Sequence, residues 1–190
     1  MKETIIIVAS ILAIVGNLPY LRDVYLNKIQ PHPFTWLVWS IVSCIIFFGA
    51  VAKGGGLGTI PILASEIFTV AIFIFSLKHG FKNVKKVDVL FLAIALLSLI
   101  PWYLTKDPTI SVIIAVFIDL VAFVPTLRKT YLQPRTENYI LYLMNVFRHI
   151  LIMFSLDAYN IATTLHSIAM MITNSVMTYL ILFHKKFFAR

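Results

Sequence analysis

Five ionisable side chains interrupt long apolar stretches of this sequence, and they are the residues most capable of chemistry. They are Glu66, Asp119, Arg148, His149 and His166. Within a bilayer a charged side chain costs about 3 kcal/mol unless it has a partner or faces water, so such residues mark binding sites, proton pathways or ion pairs. Glu66 and Arg148 fit either a buried ion pair or a role in binding a solute or proton. Asp119 fits either a hydrogen bond to a neighbouring helix or a titrating group.

Polar residues near these charges follow helical spacing in two segments. Tyr142, Asn145 and His149 lie at positions i, i+3 and i+7 of one segment, with Arg148 beside them. The second polar face carries Thr163, His166 or Ser167, Asn174 and Thr178. Because two polar faces of this kind cannot both face lipid, they predict either a direct contact between the two helices or a shared cavity.

Other signals argue against catalysis and metal binding. Neither His149 nor His166 has a second ligand at a metal-like spacing, so both are also explained as packing residues. The single cysteine, Cys44, allows no disulfide and no cysteine-based metal site. The run "GGGLG" at residues 54–58 lacks the Lys-Ser/Thr of a phosphate loop and predicts a flexible loop. We therefore predict no enzyme, no cofactor and no metal.

The composition places these residues in an integral membrane protein. Hydrophobic residues make up 60% of the 190 residues and charged residues only 13%, whereas about 25% of a soluble domain is charged. Seven apolar stretches are long enough to cross a bilayer as helices, which takes about 20 residues each. They run 4–26, 33–52, 57–77, 88–105, 109–129, 138–157 and 160–184. The predicted fold is an all-α membrane protein with seven transmembrane helices.

The distribution of basic residues predicts the orientation of the chain. Lys2, Lys53 and Lys106 are the only basic residues between segments on one side, and far more lie on the other. Because basic residues are retained in the cytoplasm, the N-terminus is predicted outside and the C-terminus inside, in the plasma membrane of a bacterium or archaeon. The net charge of +8 is then a topology signal and not a nucleic-acid interface. The expected partners are the lipid bilayer and a small-molecule solute, with a homo-oligomer left open.

A repeated motif divides the chain into two similar halves. The sequences "PYLRDVYL" at 19–26 and "PTLRKTYL" at 125–132 agree at five of eight positions. The same offset, without a gap, superposes the first three segments on the last three. The chain is therefore predicted to contain two parallel three-helix repeats, residues 1–82 and 108–190, joined by a linker helix in 83–107.

The repeat gives the prolines and the linker separate roles. Pro19 and Pro125 occupy equivalent positions, and a proline inside a helix removes a hydrogen bond and kinks or breaks the helix. They are therefore predicted to act as two symmetric hinges. Within the apolar stretch 89–105 of the linker only Ser98 is polar before the end, which predicts a helix that faces lipid and does not line the cavity.

This architecture resembles the PQ-loop superfamily and its SWEET sugar transporters. The resemblance rests on a proline near the cytoplasmic end of the first helix of each unit, a short basic connection, an aromatic-rich second helix and the 3+1+3 arrangement. Tyr20 and Thr126 follow the two prolines, where that family has glutamine. The resemblance implies a transporter that moves a small polar solute, sugar-like or another small metabolite, by alternating access between two three-helix bundles.

The repeat and the resemblance together indicate which residues touch the solute. The resemblance implies that Asn174 is the pocket asparagine of the second repeat, and Thr69 lies in the equivalent region of the first. Trp39 corresponds to Asn145 in the repeat and offers a flat face to a ring-shaped solute. The predicted substrate-binding residues are Trp39, Asn145, Asn174, Tyr142 and Thr69.

Two alternatives and one mechanistic choice remain open at the level of sequence. Pnu-type vitamin transporters share the 3+1+3 arrangement and stack their substrates on tryptophan-rich helices. The receptor that retrieves proteins to the endoplasmic reticulum has a similar architecture, and Arg148 is the clear basic candidate for an acidic ligand. Glu66 and Asp119, in a buried polar network with Arg148 and His149, leave proton coupling open.

Overall fold

All regular secondary structure in the described part of the chain is helical. The computed structural model describes residues 1–27, 33–79, 86–132 and 139–183. The α-helices are α1 (Lys2–Tyr25), α2 (Pro33–Ala52), α3 (Ile60–Ser76), α4 (Lys86–Leu97), α5 (Leu99–Thr105), α6 (Thr109–Leu132), α7 (Tyr139–Ser155) and α8 (Ile161–Phe183). Short 3-10 helices, Gly56–Thr59 and Leu77–His79, flank α3.

The predicted linker corresponds to two consecutive helices, α4 and α5, which are separated at Ser98. The hydroxyl of Ser98 donates to the carbonyl of Ala95 at 2.7 Å, and its own carbonyl accepts a hydrogen bond from the hydroxyl of Ser111 on α6. Ser98 is buried. The linker therefore turns Ser98 toward α6, whereas its apolar residues Leu97, Tyr103 and Leu104 are 60–74% exposed. That the linker faces lipid stays a prediction.

The apolar surface of the described helices is that of a membrane protein. Four helical stretches are long and apolar enough to cross a bilayer: α1, α2, the segment Gly56–Ser76 and α8. On α1 the large apolar side chains Ile7, Ile11, Ile14 and Leu18 lie along one face and are 42–58% exposed. A stripe of this kind on a soluble monomer would be an aggregation site, whereas in lipid it needs no cover.

When the helices are divided into two groups as the predicted repeat divides them, both groups have the same internal order of contacts. In the first group α3 contacts both α1 and α2, and in the second group α8 contacts both α6 and α7. The groups meet through two main contacts, α1 with α7 and α2 with α6. The pair α4 and α5 packs on α2 and α6 at the edge of the assembly. The space between the groups is therefore bounded mainly by α2, α3, α7 and α8.

Small residues bring the two groups close together. Ala9 and Ala13, one turn apart on α1, are buried. On α2 a Cβ added at Gly49 would lie 2.3 Å from Cγ2 of Val112 on α6. Without a hydrophobic driving force between helices in lipid, packing depends on such close backbone approach. Both contacts between the groups therefore include small residues that allow close approach of the helices.

Neither proline of the repeated motif ends its helix. The helix α1 continues past Pro19 to Tyr25, and α6 continues past Pro125 to Leu132. Each proline still lacks the N–H that would bond to the carbonyl four residues earlier, so the hinge role stays a prediction. Basic residues on which the predicted orientation depends, including Lys82, Lys85 and Arg135, lie outside the described residues.

Candidate functional site

A polar cavity of about 100 Å³ lies between the two groups of helices. Its polar lining comes from α2, α3, α7 and α8: Ser43, Ser65, Glu66, Thr69, Arg148, His149 and His166. Its apolar lining is Ile46, Ile62, Ile152 and Met170. The cavity has room for several water molecules but is smaller than the roughly 300–1,000 Å³ of typical ligand pockets. Any solute that occupies it in this conformation is compact.

Glu66 reaches the cavity from α3, where Ile62, Glu66 and Thr69 share one face because they follow positions i, i+4 and i+7. Only 5% of Glu66 is exposed. Its Oε1 lies 3.5 Å from the sulfur of Cys44, a weak donor on α2, and Ser43 also interacts with the carboxylate. Its Oε2 has no hydrogen-bond partner within the described residues. No described cation contacts this carboxylate.

Arg148 enters the same cavity from α7 and is also nearly fully buried. Its Nη2 lies 3.0 Å from Nε2 of His149, whereas Nε and Nη1 have no partner among the described residues. In the part of the chain that the structure describes, Arg148 forms no ion pair or hydrogen bond with Glu66. Two opposite charges thus line one cavity without neutralising each other directly.

His149 orients the arginine through a defined tautomer. A guanidinium only donates hydrogen bonds, so Nε2 of His149 must accept and the ring is neutral. The proton then sits on Nδ1, which donates to the hydroxyl of Ser167 at 3.3 Å on α8. The arginine is thereby held to α8 through one histidine, with its remaining donors left for the cavity.

A second histidine connects the cavity to α6. The ring of His166 packs edge-on against His149, with 5.3 Å between ring centroids. Its Nε2 lies 3.5 Å from Oδ2 of Asp119. Of the predicted network of Glu66, Asp119, Arg148 and His149, Asp119 thus reaches His149 only through a ring contact of His166, and Glu66 forms no hydrogen bond with the other three within the described residues. A group of three or more metal-ligating side chains is absent from the described residues.

The structure separates the predicted site residues into two sets. Thr69, Glu66, Arg148 and His149 line the cavity, and Asp119 reaches it through His166. The other predicted solute contacts, Trp39, Tyr142, Asn145 and Asn174, are not among the lining residues. Sequence reasoning missed Ser43 and Ser65, although the position of Ser65 next to Glu66 was a usable signal.

The residues outside the cavity have other surroundings. Trp39 packs edge-on against Trp36, and its buried Nε1 has no partner among the described residues. Tyr142 packs with Met177 and Ile181, and the amide of Asn174 donates to the carbonyl of Met170 on its own helix. Seven residues separate Tyr142 from His149, which is about 10 Å along a helix. The polar face of α7 therefore extends well beyond the cavity.

A larger groove between α2 and the linker has no carboxylate and no basic side chain among its described lining residues. It measures about 650 Å³ and is lined by Ser40, Ile41, Cys44, Ile45, Phe48, Leu96, Leu99 and Trp102. Its apolar lining gives no means of orienting a polar solute. The candidate site is therefore the smaller central cavity.

Two ion pairs join the groups at one end of the molecule. Lys2, at the start of α1, pairs with Asp157 after α7, and Lys53, after α2, pairs with Asp107 before α6 at 2.8 Å. Hydrogen bonds from Lys53 and Thr109 hold the pKa of Asp107 below its usual range, and a hydrogen bond from Lys2 lowers the pKa of Asp157. Each pair joins the start of the first helix of one group to the end of the second helix of the other group. The lysine lies at the start of the first helix in one pair and after the second helix in the other.

The glycine-rich loop, which the sequence predicts to be flexible, is packed between these pairs in this conformation. A Cβ added at Gly58 would lie 2.3 Å from the carbonyl oxygen of Ser155, and one added at Gly56 would overlap the carboxylate of Asp157. The amide of Asn160 donates to the carbonyl of Lys53 at 3.0 Å. We call the end formed by residues 53–58 and 155–160 the glycine-loop end. It is closed by direct contact of these two loops.

Comparison of the chain with protein-family models, with curated proteins and with solved structures gives no match.

Proposed function

We propose that this protein is a membrane transporter that moves a small polar solute by alternating access between two three-helix groups. The groups are α1–α3, in residues 1–82, and α6–α8, in residues 108–190, with α4 and α5 as the linker. The observation that carries the proposal is the central cavity, because both groups contribute to it and both present a buried charge that has no ion-pair partner among the described residues. A site of this kind at the junction of two similar groups is typical of transporters built from repeats.

The packing order supports the repeat on which this mechanism depends. The third helix lies between the first two in each group, and the first helix of each group contacts the second helix of the other. The ion pairs Lys2–Asp157 and Lys53–Asp107 follow the same relation. Two groups related in this way can rock against each other about the cavity without unfolding.

The conformation described is closed at the glycine-loop end, which carries Lys2 and Lys53 and is external in the predicted topology. Ile62 and Ile152, about one turn from Glu66 and Arg148, form with Ala9 and Leu156 an apolar layer between the cavity and this end. Opening requires separation of the loops and of both ion pairs. Pro19 and Pro125 lie in the distant halves of α1 and α6, where bending would allow that movement.

A reversible cross-link at the glycine-loop end tests the proposal. Lys2→Cys and Asp157→Cys, in a Cys44→Ala background, are joined with a short cleavable thiol reagent after reconstitution into liposomes. Uptake of a panel of labelled sugars, amino acids and vitamins is then measured before linking, after linking and after cleavage. We expect uptake of at least one solute to stop on linking and to return on cleavage, while each single-cysteine variant stays active.

The same experiment separates transport from reception. A receptor would bind a ligand in the cavity without moving it, and the donors of Arg148 that remain unpaired within the described residues also suit an acidic ligand. Binding of a solute with no uptake, whether or not the ends are linked, would favour the receptor and contradict the transporter.

A further inference from the structure

The two central charges define what the cavity can hold. Glu66 and Arg148 are each more than nine-tenths buried, line the same cavity and leave Oε2, Nε and Nη1 without hydrogen-bond partners in the described residues. Buried charged groups are stable only when opposite charge and hydrogen bonds compensate them. The occupant of the cavity is therefore expected to compensate both groups.

A zwitterionic solute compensates both charges at once. A neutral sugar offers hydroxyl groups but leaves an uncompensated carboxylate and an uncompensated guanidinium. A simple anion is attracted by Arg148 but repelled by Glu66. A simple cation is attracted by Glu66 but repelled by Arg148. A zwitterion presents a negative group to the donors of Arg148 and a positive, donating group to the acceptor of Glu66.

We infer that the cavity binds a compact zwitterion of the amino-acid class, with its carboxylate on Arg148 and its ammonium group on Glu66. This inference rests on the proposed function, because it assigns the solute of the same site. The hydroxyls of Ser43, Ser65 and Thr69 supply further polar contacts, and the apolar lining surrounds a small side chain. The cavity volume of about 100 Å³ favours glycine, alanine or serine over larger amino acids in this conformation.

His149 acts as a positioning residue for this recognition. Its neutral Nε2 accepts one of the two N–H groups on Nη2 of Arg148, so Nε, Nη1 and the second N–H of Nη2 remain for the solute. The hydrogen bond from Nδ1 to Ser167 fixes the ring. The carboxylate of the solute therefore meets a cation whose orientation is already set, which lowers the entropic cost of binding.

Thermal unfolding of the full chain in lipid nanodiscs tests the inference with four matched probes. L-alanine carries both charges, L-lactate replaces the ammonium group with a hydroxyl, L-alaninamide lacks the carboxylate, and glucose is neutral. A ligand that binds the folded state raises the melting temperature with its concentration. We expect L-alanine to raise it at concentrations at which the other three do not.

A variant without the charge of Glu66 should lose the preference for L-alanine over L-lactate. In Glu66→Gln the ammonium group loses its carboxylate, so affinity for L-alanine should fall by about thirty-fold or more. L-lactate should then bind at least as well as L-alanine, which also shows that the variant is folded. Glu3→Gln, which removes an exposed carboxylate at the start of α1, is the matched control and should keep the preference for L-alanine.

The outcomes separate this inference from the proposed function. Stabilisation by L-alanine without uptake into liposomes would retain the zwitterion site and contradict the transporter. Uptake of another solute, with no stabilisation by glycine, L-alanine or L-serine, would retain the transporter and overturn the zwitterion site. The inference would also be overturned if glucose and L-alanine stabilised the protein equally and if both effects were the same in Glu66→Gln.

Discussion

Charges at the glycine-loop end and charges in the central cavity are arranged in opposite ways. At the end, Lys53 and Asp107 form a direct pair although their side chains are 32% and 47% exposed. In the cavity, Glu66 and Arg148 are buried and form no direct pair. Exposed pairs contribute little to stability and are easily broken, whereas buried charges without partners are costly. This contrast supports the proposed function, which requires an end that opens and a cavity that receives a charged ligand.

The largest expected effect comes from removing the cavity cation. Arg148→Met should abolish stabilisation by L-alanine while leaving the unliganded protein within about 1 kcal/mol of the parent, because loss of an uncompensated charge offsets loss of the bond to His149. Ligand-free and ligand-bound melting in nanodiscs measures both quantities. Arg148→Lys keeps the charge without the planar group and should bind with intermediate affinity.

A different result would restore the ion-pair interpretation of Glu66 and Arg148. Breaking a direct buried pair costs about 3–5 kcal/mol, since it strands the remaining charge. A loss of that size in ligand-free Arg148→Met would mean that the two residues stabilise each other. It would also show that the charges in the cavity are paired, as they are at the glycine-loop end.

The sequence predicts some of these features and not others, because each feature depends on a different physical signal. Helix bounds were predictable because apolar runs of about 20 residues are separated by charged or turn-forming residues, and α2 occupies the predicted 33–52. Glu66 and Arg148 were predictable because charge in an apolar helix is rare. Whether they touch depends on helix rotation and depth, which spacing alone does not fix.

The same limit applies to two further predictions. Trp39 and Asn174 were chosen as solute contacts by equivalence and resemblance, but each lies four residues, about 6 Å along its helix, from a residue that lines the cavity, Ser43 or Met170. The glycine loop was expected to be flexible because glycine permits many conformations. In the folded chain its lack of side chains instead permits close contact with Ser155 and Asp157, a tertiary fact that the local sequence does not contain.

An intermediate effect is expected from the loop contact. Gly58→Ala should destabilise the closed conformation by about 1–3 kcal/mol, because its new Cβ would meet the backbone of Ser155. Gly16→Ala is the matched control, since its Cβ would lie an ordinary 3.7 Å from Leu141, and in a helix the change should stabilise by up to about 1 kcal/mol. A lower melting temperature than the parent for Gly58→Ala, together with a higher one for Gly16→Ala, would support the closed loop contact. Equal shifts of the two variants would contradict it.

The smallest effect is expected from the exposed ion pairs, and it should appear in accessibility more than in stability. Thr69→Cys, in the Cys44→Ala background, reports how often the cavity opens toward the glycine-loop end through its reaction with an impermeant thiol reagent. Asp107→Asn should increase that rate relative to the parent at low salt, and the difference should shrink at high salt because exposed pairs are screened. Lys106→Gln, which removes an exposed cation that lies over Tyr103, should leave the rate unchanged.

The pH dependence of that difference follows from the direction of the pKa shift. Because Lys53 and Thr109 lower the pKa of Asp107 in the closed state, protons bind more tightly when the contact is broken. The pair therefore favours closure fully above the ordinary aspartate pKa of about 4 and loses this contribution as the pH falls through the lower value. Between about pH 5 and 8 the rate ratio of Asp107→Asn to the parent should stay constant, since Asp107 remains ionised in both states. A ratio that changes steeply within that range would show that another titrating group controls the glycine-loop end.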